Sequence, residues 1–380
     1  MRTETPSSIE AAADALRALN ENGSRVRFVG GGTRSSWGNP LNDVDARLGT
    51  AEMTRIIEHN AGDLTAVVEA GLEVGTLQST VAEKGQMFAL DAFDPGGATV
   101  GGMVAAGDSG PLRHRYGPIR DLVLGVSVVL ADGTVAKSGG KVIKNVAGYD
   151  LGKLFSGSLG TLGLIARVAL RLHPQPPRTV TLVGSTASPE ALQAAAVTIV
   201  AQPLEMESLD VSWSSGVGAV LARFGGAAPE GRAAKAREVL EGIDVDAEMT
   251  EDDAGLWDEQ RRAQRSRDGA ALKISSLPTE AAKIVSAAES AGGRLVGRAA
   301  LGLYWVTIEG GPSDLVGVID ELRAALKPWS VVVTDAPDDV RRKVDVWGEP
   351  NPSNLPLMRR IKQRFDPKGT CNPGIYVGGI

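Results

Sequence analysis

The residues best placed to do chemistry in this chain are its glycines, 47 of 380. Gly30, Gly31 and Gly32 follow a short apolar run that ends at Val29, and Thr33, Arg34, Ser35 and Ser36 come next. Consecutive glycines let successive N–H groups turn to one side and form an anion nest, to which the hydroxyls add donors. Taken alone, this stretch reads equally well as a strand-to-loop turn. A second cluster runs Pro95, Gly96, Gly97, Ala98, Thr99, Val100, Gly101, Gly102, and closes with Ala106, Gly107, Asp108, Ser109 and Gly110. Such small side chains let a backbone lie flat against a large planar ligand. The third cluster is Gly157, Ser158, Leu159, Gly160, Thr161, Leu162 and Gly163, leading into Leu164 and Ile165. Three small-residue loops together suit one long ligand with a diphosphate and an extended ring system. No stretch matches G-x-x-x-x-G-K-[ST] or G-x-G-x-x-G, which sets aside P-loop and NAD-type Rossmann sites.

These loops need elements to hold them. Ser7 to Glu10 forms a capping box that starts a helix running to about Asn20. Strands are expected over 25–29 and 64–70, forming a βαβ first lobe, with a helix over 74–84. Residues 94–102 read as loop. A strand over 122–130 turns at Asp132-Gly133 and pairs back over 134–137. A further strand covers 163–172, and the proline-rich 173–177 is a stiff boundary. Beyond it, strands and helices between 179 and 334 follow two rounds of βαββαβ, which predicts one antiparallel sheet with helices on one face. The tail carries a short helix over 355–365. The fold class is α+β, with domains at 1–174, 178–335 and 336–380.

Composition narrows the function classes. Hydrophobic residues make up 43% and charged residues 23%, the balance of a soluble globular protein. Lys+Arg 40 against Asp+Glu 46 offers no long cationic track, so nucleic acid is not expected as a partner. Three histidines (His59, His114, His173) and one cysteine (Cys371) leave no metal site and no internal disulfide to expect. No apolar run approaches the length of a membrane span, and the first residues lack a signal-peptide pattern. The expectation is a cytoplasmic protein.

Val29 to Ser35, Pro95 to Gly110, Tyr116-Gly117 and the 157–165 loop resemble the FAD-binding domain of the vanillyl-alcohol oxidase (PCMH-type) family. The stretch from Lys141 to Asp150, together with 157–163, resembles the FAD-binding E subunit of bacterial glycolate oxidase. Leu159 is usual for that subunit, where most relatives carry glutamate. The resemblance implies a two-lobed FAD-binding domain, an antiparallel-sheet cap over the flavin, and a C-terminal segment returning through Asp366-Pro367 and Asn372-Pro373-Gly374. It implies that Val29 to Ser35 cradle the pyrophosphate. Pro95, Gly96, Gly97, Ala98, Thr99, Gly101 and Gly102, with Ala106, Gly107, Asp108, Ser109 and Gly110, would line the flavin and ribityl chain. Tyr116 belongs to the same set. Leu159, Gly160, Thr161, Gly163, Leu164 and Ile165 would take the adenine end, and Asn372 would lie near the ring system. Thr33 stands where some relatives attach FAD to histidine, so non-covalent FAD is expected.

The implied reaction is oxidation of a small 2-hydroxy acid. It needs a flavin to accept hydride, a cation for the carboxylate and a base for the hydroxyl proton. Arg113, Arg115, Lys144, Lys273 and the Arg261, Arg262, Arg265, Arg267 cluster are the cation candidates; that cluster sits on an expected helix, where a charge run is usually a solvated face. His114 and Tyr149 are the candidate bases. The catalytic D subunit of the same oxidase has histidine motifs in its C-terminal part, whereas this chain has no histidine after His173. Three readings stay open: a subunit working beside a second flavoprotein and an iron–sulfur subunit, peripheral to the inner membrane face through a partner; a self-sufficient hydroxy-acid dehydrogenase; or a non-catalytic subunit that FAD stabilises.

Overall fold

In the computed structural model, residues 2–41, 44–140 and 150–380 are described. The candidate residues Lys144 and Tyr149 lie outside them.

The chain begins with β1 (Arg2–Glu4), a helix over Ile9–Glu21, β2 (Val26–Val29) and β3 (Ala46–Gly49). Both β1 and β2 pair in parallel with β3, which lies between them. The βαβ unit is therefore built from β1, the first helix and β2. The expected unit over 25–70 does not form, because no helix lies between 30 and 64 among the described residues and the strand at 65–69 joins another sheet. The first helix starts one residue later than expected: Ser8 is its cap and accepts from the Ala11 N–H at 3.1 Å. Leu16, Leu19 and Ile9 bury its inner face against Val26 and Leu48.

The second lobe is a five-stranded antiparallel sheet in the order β4 (Ile56–Asn60), β5 (Thr65–Glu69), β9 (Leu164–Arg171), β7 (Val123–Val129), β8 (Val135–Gly139). The hairpin between β7 and β8 turns at Gly133, whose φ is +81°. Two short strands, β6 (Gln86–Met87) and β10 (His173–Pro174), pair as the chain leaves this lobe. Val100–Ala106, expected as loop, is helical. Thr99 caps it by accepting from the Gly102 N–H at 3.3 Å. Its glycines are there for close packing: a Cβ on Gly101 would lie 2.5 Å from that of Ala70.

Beyond Pro177 the chain forms an eight-stranded sheet whose paired strands are all antiparallel. Its members are β11 (Arg178–Thr186), β12 (Ser208–Ser214), β13 (Val217–Gly226), β14 (Asp246–Thr250), β15 (Ala270–Ser275), β16 (Arg294–Arg298), β17 (Leu303–Ile308) and β18 (Ser330–Asp335). The order is β14-β11-β13-β12-β16-β17-β15-β18. Each βαββαβ round forms four adjacent strands, and the rounds meet where β12 pairs with β16. Alternation along the strands separates two faces. Leu209, Val211, Leu272, Ile274, Leu295, Tyr304 and Val306 pack with Leu192, Ile284 and Leu315 of the covering helices. Asp210, Lys273, Val296, Arg298, Leu303 and Trp305 alternate with them and occupy the opposite face.

Candidate functional site: a glycine-lined cavity under a charged sheet face

The three glycine clusters meet. Their shared cavity is open to solvent, and its space amounts to about 880 Å³ when the solvent at its mouth is included. Val29, Gly30, Gly31, Gly32, Thr33, Arg34, Ser35, Thr99, Gly101, Gly102, Ala106, Leu159, Gly160, Gly163, Leu164, Ile165 and Asn372 all line it. Ala105, another small residue of the second cluster, lines it too. Arg27, Phe28, Trp37, Thr50, Ala70 and Ile375 also line it and were not anticipated. Strand β2 gives the clearest signal after the fact. It is half-buried at Arg27, Phe28 and Val29, so one edge of a core strand faces open space.

Backbone contact explains why the lining is glycine. A Cβ on Gly31 would fall 1.6 Å from the Gly97 carbonyl oxygen, and one on Gly30 would fall 2.4 Å from Thr99 Oγ1. Gly32, Gly96 and Gly97 differ: each has positive φ, and nothing lies within 4 Å of its missing side chain. They border open space, as a ligand that approaches backbone requires. Trp37 Nε1 and Thr50 Oγ1 line the same cavity, are buried and have no hydrogen-bond partner among the described residues. A buried donor without a partner costs roughly 1–3 kcal/mol, which a polar ligand recovers. These features fit a long, polar, partly planar molecule.

Arg34 braces this cavity as well as lining it, and other residues of the expected set brace it without lining it. Arg34 turns inward: Nη2 donates to Asp108 Oδ2 at 2.7 Å and to the Phe93 carbonyl, and Nη1 donates to Thr33 Oγ1. Both members of the ion pair are almost fully buried. Asp94 Oδ1 accepts from the N–H groups of Gly96 and Ala98 and fixes the loop through Pro95. Gly107 caps its helix at φ +66°. Ser109 Oγ accepts from Arg113, and Gly110 lies tight against Asp91. Thr161 Oγ1 donates to the Ser158 carbonyl. Tyr116 points elsewhere: its hydroxyl donates to Glu207 Oε2 at 2.6 Å and its ring lies 4.5 Å from that of His173.

The C-terminal segment closes the far wall. Asn372 Nδ2 donates to the Leu159 carbonyl at 2.6 Å, and Asn372 Oδ1 accepts from the Phe28 N–H at 2.8 Å. Its amide thus ties the first and third loops together. Lys362 Nζ donates to the carbonyls of Thr161 and Cys371 and to Asp366 Oδ2.

The cap sheet's charged face lies against the second cluster. Arg115 and Tyr116 fasten the short helix Arg113–Tyr116 to Glu205 and Glu207, which lead into β12. Arg265 spans the same junction, pairing with Asp335, donating to the Thr33 carbonyl at 3.2 Å and lying over Trp37. Lys273 stands directly opposite Trp305 in the β15–β17 register, its ammonium 5.6 Å from the ring centroid. Burial, with Arg113 and Arg298 nearby and only Asp108 opposing, lowers its pKa to about 8. Burial also lowers Arg113 and His114; His114 Nδ1 has no hydrogen-bond partner among the described residues. Sequence reasoning missed Asp210 and Arg298, both fully buried on this face. Burial pushes the Asp210 carboxyl up to about 7, against the pull of Arg298.

Comparison with known proteins supplies the family. Residues 3–139 match an FAD binding domain, and residues 346–376 match the C-terminal domain of FAD linked oxidases. Bovine mitochondrial D-2-hydroxyglutarate dehydrogenase is 30% identical, across 97% of this chain and 75% of its own length. The chain belongs to the FAD-linked oxidases of the PCMH type. FAD is accordingly its cofactor. Glycolate oxidase subunit GlcE of Escherichia coli is 29% identical over 84% of this chain and 83% of that one. D-lactate dehydrogenase of Archaeoglobus fulgidus is 38% identical over 45% of this chain, a match spanning only 38% of that enzyme's length. The solved alkyldihydroxyacetonephosphate synthase shares the fold, with a TM-score of 0.73 over 98% of this chain and 76% of that chain, at 15% identity.

Proposed function

We propose that this chain is an FAD-dependent oxidoreductase of small 2-hydroxy acids, acting as the FAD-binding subunit of a glycolate oxidase-type complex. The observation that carries this reading is the cluster of cations on the helix-free face of the cap sheet, where Lys273 is buried with Arg113 and Arg298 close enough to lower its pKa. The backbone of Gly30 to Ser35 would hold the diphosphate. Thr99 to Gly102 and Ala106 would flank the ring system, and Leu159 to Ile165 the adenine end. FAD, once bound, supplies a two-electron acceptor for hydride. The chain's own part is to orient the acid by its carboxylate, keep water away beneath the cap sheet and take the hydroxyl proton.

We further read the FAD as non-covalent. Thr33 has no imidazole, and no histidine lines the cavity among the described residues. Cys371 is buried, with its thiol pushed well up by burial and by Asp366. The likeness to GlcE, a glycolate oxidase subunit, supports partner subunits. A second flavoprotein and an iron–sulfur subunit are the partners this reading proposes. No helix among the described residues is long and apolar enough to cross a membrane. A cytoplasmic location, at the membrane only through a partner, goes with that reading. A self-sufficient dehydrogenase is the second reading, favoured because the cation cluster is built entirely from this chain.

The test is an absorption spectrum of the purified chain, repeated anaerobically with glycolate and D-lactate, with and without co-expressed subunits. Flavin bands that bleach in the chain alone favour the second reading. Bleaching only with partners supports the first. Bands that persist under every condition leave the FAD but remove the hydroxy-acid chemistry.

A further inference from the structure

The buried pair Asp210 and Arg298 has no structural use that its surroundings explain. Extending the β12–β16 register by one step sets the two residues opposite each other, on the face turned away from the covering helices. Their closest approach, Nε to Oδ1, is 3.9 Å, too long for a hydrogen bond. All three guanidinium nitrogens of Arg298 and both oxygens of Asp210 are buried without a hydrogen-bond partner among the described residues. The guanidinium lies over Trp305, 4.4 Å from the ring centroid, and that contact satisfies none of its donors. An ion pair kept for stability would close to bonding distance and fill its remaining donors, because desolvation otherwise outweighs the attraction.

The surroundings specify a ligand. Arg113, Arg261, Lys273 and Arg298 bring positive charge; Asp91 and Asp210 bring negative charge. Asp91 is engaged by the Leu112 N–H and lies 3.7 Å from Arg261. Asp108 is spent on Arg34. Arg298 is thus the cation left with a complete planar fork of free donors, the geometry that takes a carboxylate through two parallel hydrogen bonds. Asp210, held beside it, is an acceptor at the reach of a hydroxyl on the adjoining carbon.

We propose that Arg298 holds the carboxylate of the substrate and that Asp210 is the catalytic residue that takes its 2-hydroxyl proton. This rests on the hydroxy-acid reading above and assigns its anchor and its base. As the O–H bond breaks, its proton passes to Asp210. The C2–H bond would break with its electron pair and hydrogen leaving as hydride, the two-electron acceptor being the chemistry that FAD would supply when bound, and the carbonyl of the 2-oxo acid would form. Trp305 and Lys273 then serve as walls and as a second positive charge. A carboxylate base beside an arginine also accounts for the lack of histidine in the cap.

The experiment uses the full chain loaded with FAD. Anaerobic titration with pyruvate, which cannot reduce the flavin, is followed by the flavin difference spectrum and gives a dissociation constant. Bleaching by D-lactate and glycolate is then timed. Arg298→Met is expected to weaken pyruvate about a hundredfold, and Arg298→Lys about tenfold, with FAD content near wild type. Asp210→Asn is expected to bind pyruvate within about threefold of wild type while slowing bleaching 10²- to 10⁴-fold, roughly the range of a lost general base. Arg298→Lys keeps charge and most of the volume, so it reports even if Arg298→Met fails to fold. Unchanged pyruvate affinity in the Arg298 variants, or bleaching of Asp210→Asn at the wild-type rate, overturns this assignment alone. A wild-type holoprotein that neither responds to pyruvate nor bleaches with either acid overturns the hydroxy-acid reading with it.

Discussion

The two walls of this molecule's central space are made in opposite ways. The glycine-lined cavity is a backbone surface, in which N–H groups, carbonyls and absent side chains shape the opening. The cap face is a side-chain surface, in which Asp210, Lys273, Arg298 and Trp305 stand up from a regular sheet. A backbone surface cannot be retuned by swapping side chains, so it suits a constant ligand such as a cofactor. A side-chain surface can be changed one residue at a time without disturbing the sheet, so it suits the variable partner, the substrate. Mutations at the first wall should therefore cost cofactor, and those at the second should cost substrate alone.

The largest expected effect breaks the backbone wall. Gly31→Ala drives a methyl into the Gly97 carbonyl and should abolish FAD retention, read as the flavin-to-protein absorbance ratio. Gly32→Ala is the sharper control: its φ is +76° but the space is open, so it should cost only about 1–2 kcal/mol of backbone strain and keep much of the flavin. Equal losses in both would mean that the walls do not divide as described. Next comes the brace within the backbone wall, between its first and second clusters. Arg34→Met leaves Asp108 buried and unpaired, and should lower stability by about 3–5 kcal/mol in denaturant titration.

On the cap wall, Lys273→Met should weaken a 2-oxo acid about tenfold while leaving FAD in place, measured by the same difference spectrum. A pH series separates Asp210 further. Its carboxyl is raised in the folded chain, so the native state holds that proton more tightly and loses stability as pH climbs from about 4 to about 7. Asp210→Asn should flatten that slope in thermal melts, and turnover needing the ionised carboxylate should rise across pH about 7 in wild type only. The smallest effect is expected at Ser36, whose hydroxyl donates to Asp335 at 3.3 Å. Its replacement by alanine should shift stability by no more than about 1 kcal/mol.

The two walls also differ in how far the sequence disclosed them. Glycine runs leave a visible composition, and the meeting of three such runs in one cavity follows from their needing the same ligand. The alternating strands and repeated βαββαβ rounds of the cap were equally open to reading, since burial on one face imposes a period of two. What could not be read was adjacency. Asp210 is the single charged residue of its strand and Arg298 the last residue of a strand that also begins with arginine; they lie 88 positions apart, and only the order of strands in the sheet sets them side by side. The helix over Val100–Ala106 was missed for a related reason. Glycine disfavours helix locally, and the close approach to Ala70 that compensates for it belongs to the tertiary structure. Asn372 was named through family resemblance; its part as a tie between Phe28 and Leu159 emerged from its hydrogen bonds.

Arg265 touches both walls at once, through the Thr33 carbonyl on one side and Asp335 on the other. A molecule that steadies the Thr33 loop thereby steadies the sheet's last strand, although it need never contact that strand. By mass action, FAD at a hundred times its dissociation constant adds about 2.7 kcal/mol to the folded state. Through Arg265 part of that gain should appear as slower amide hydrogen exchange in Ser330–Asp335. Cofactor loading would then act as a quality check on the substrate wall, with apoprotein recognisable by a loosened sheet edge.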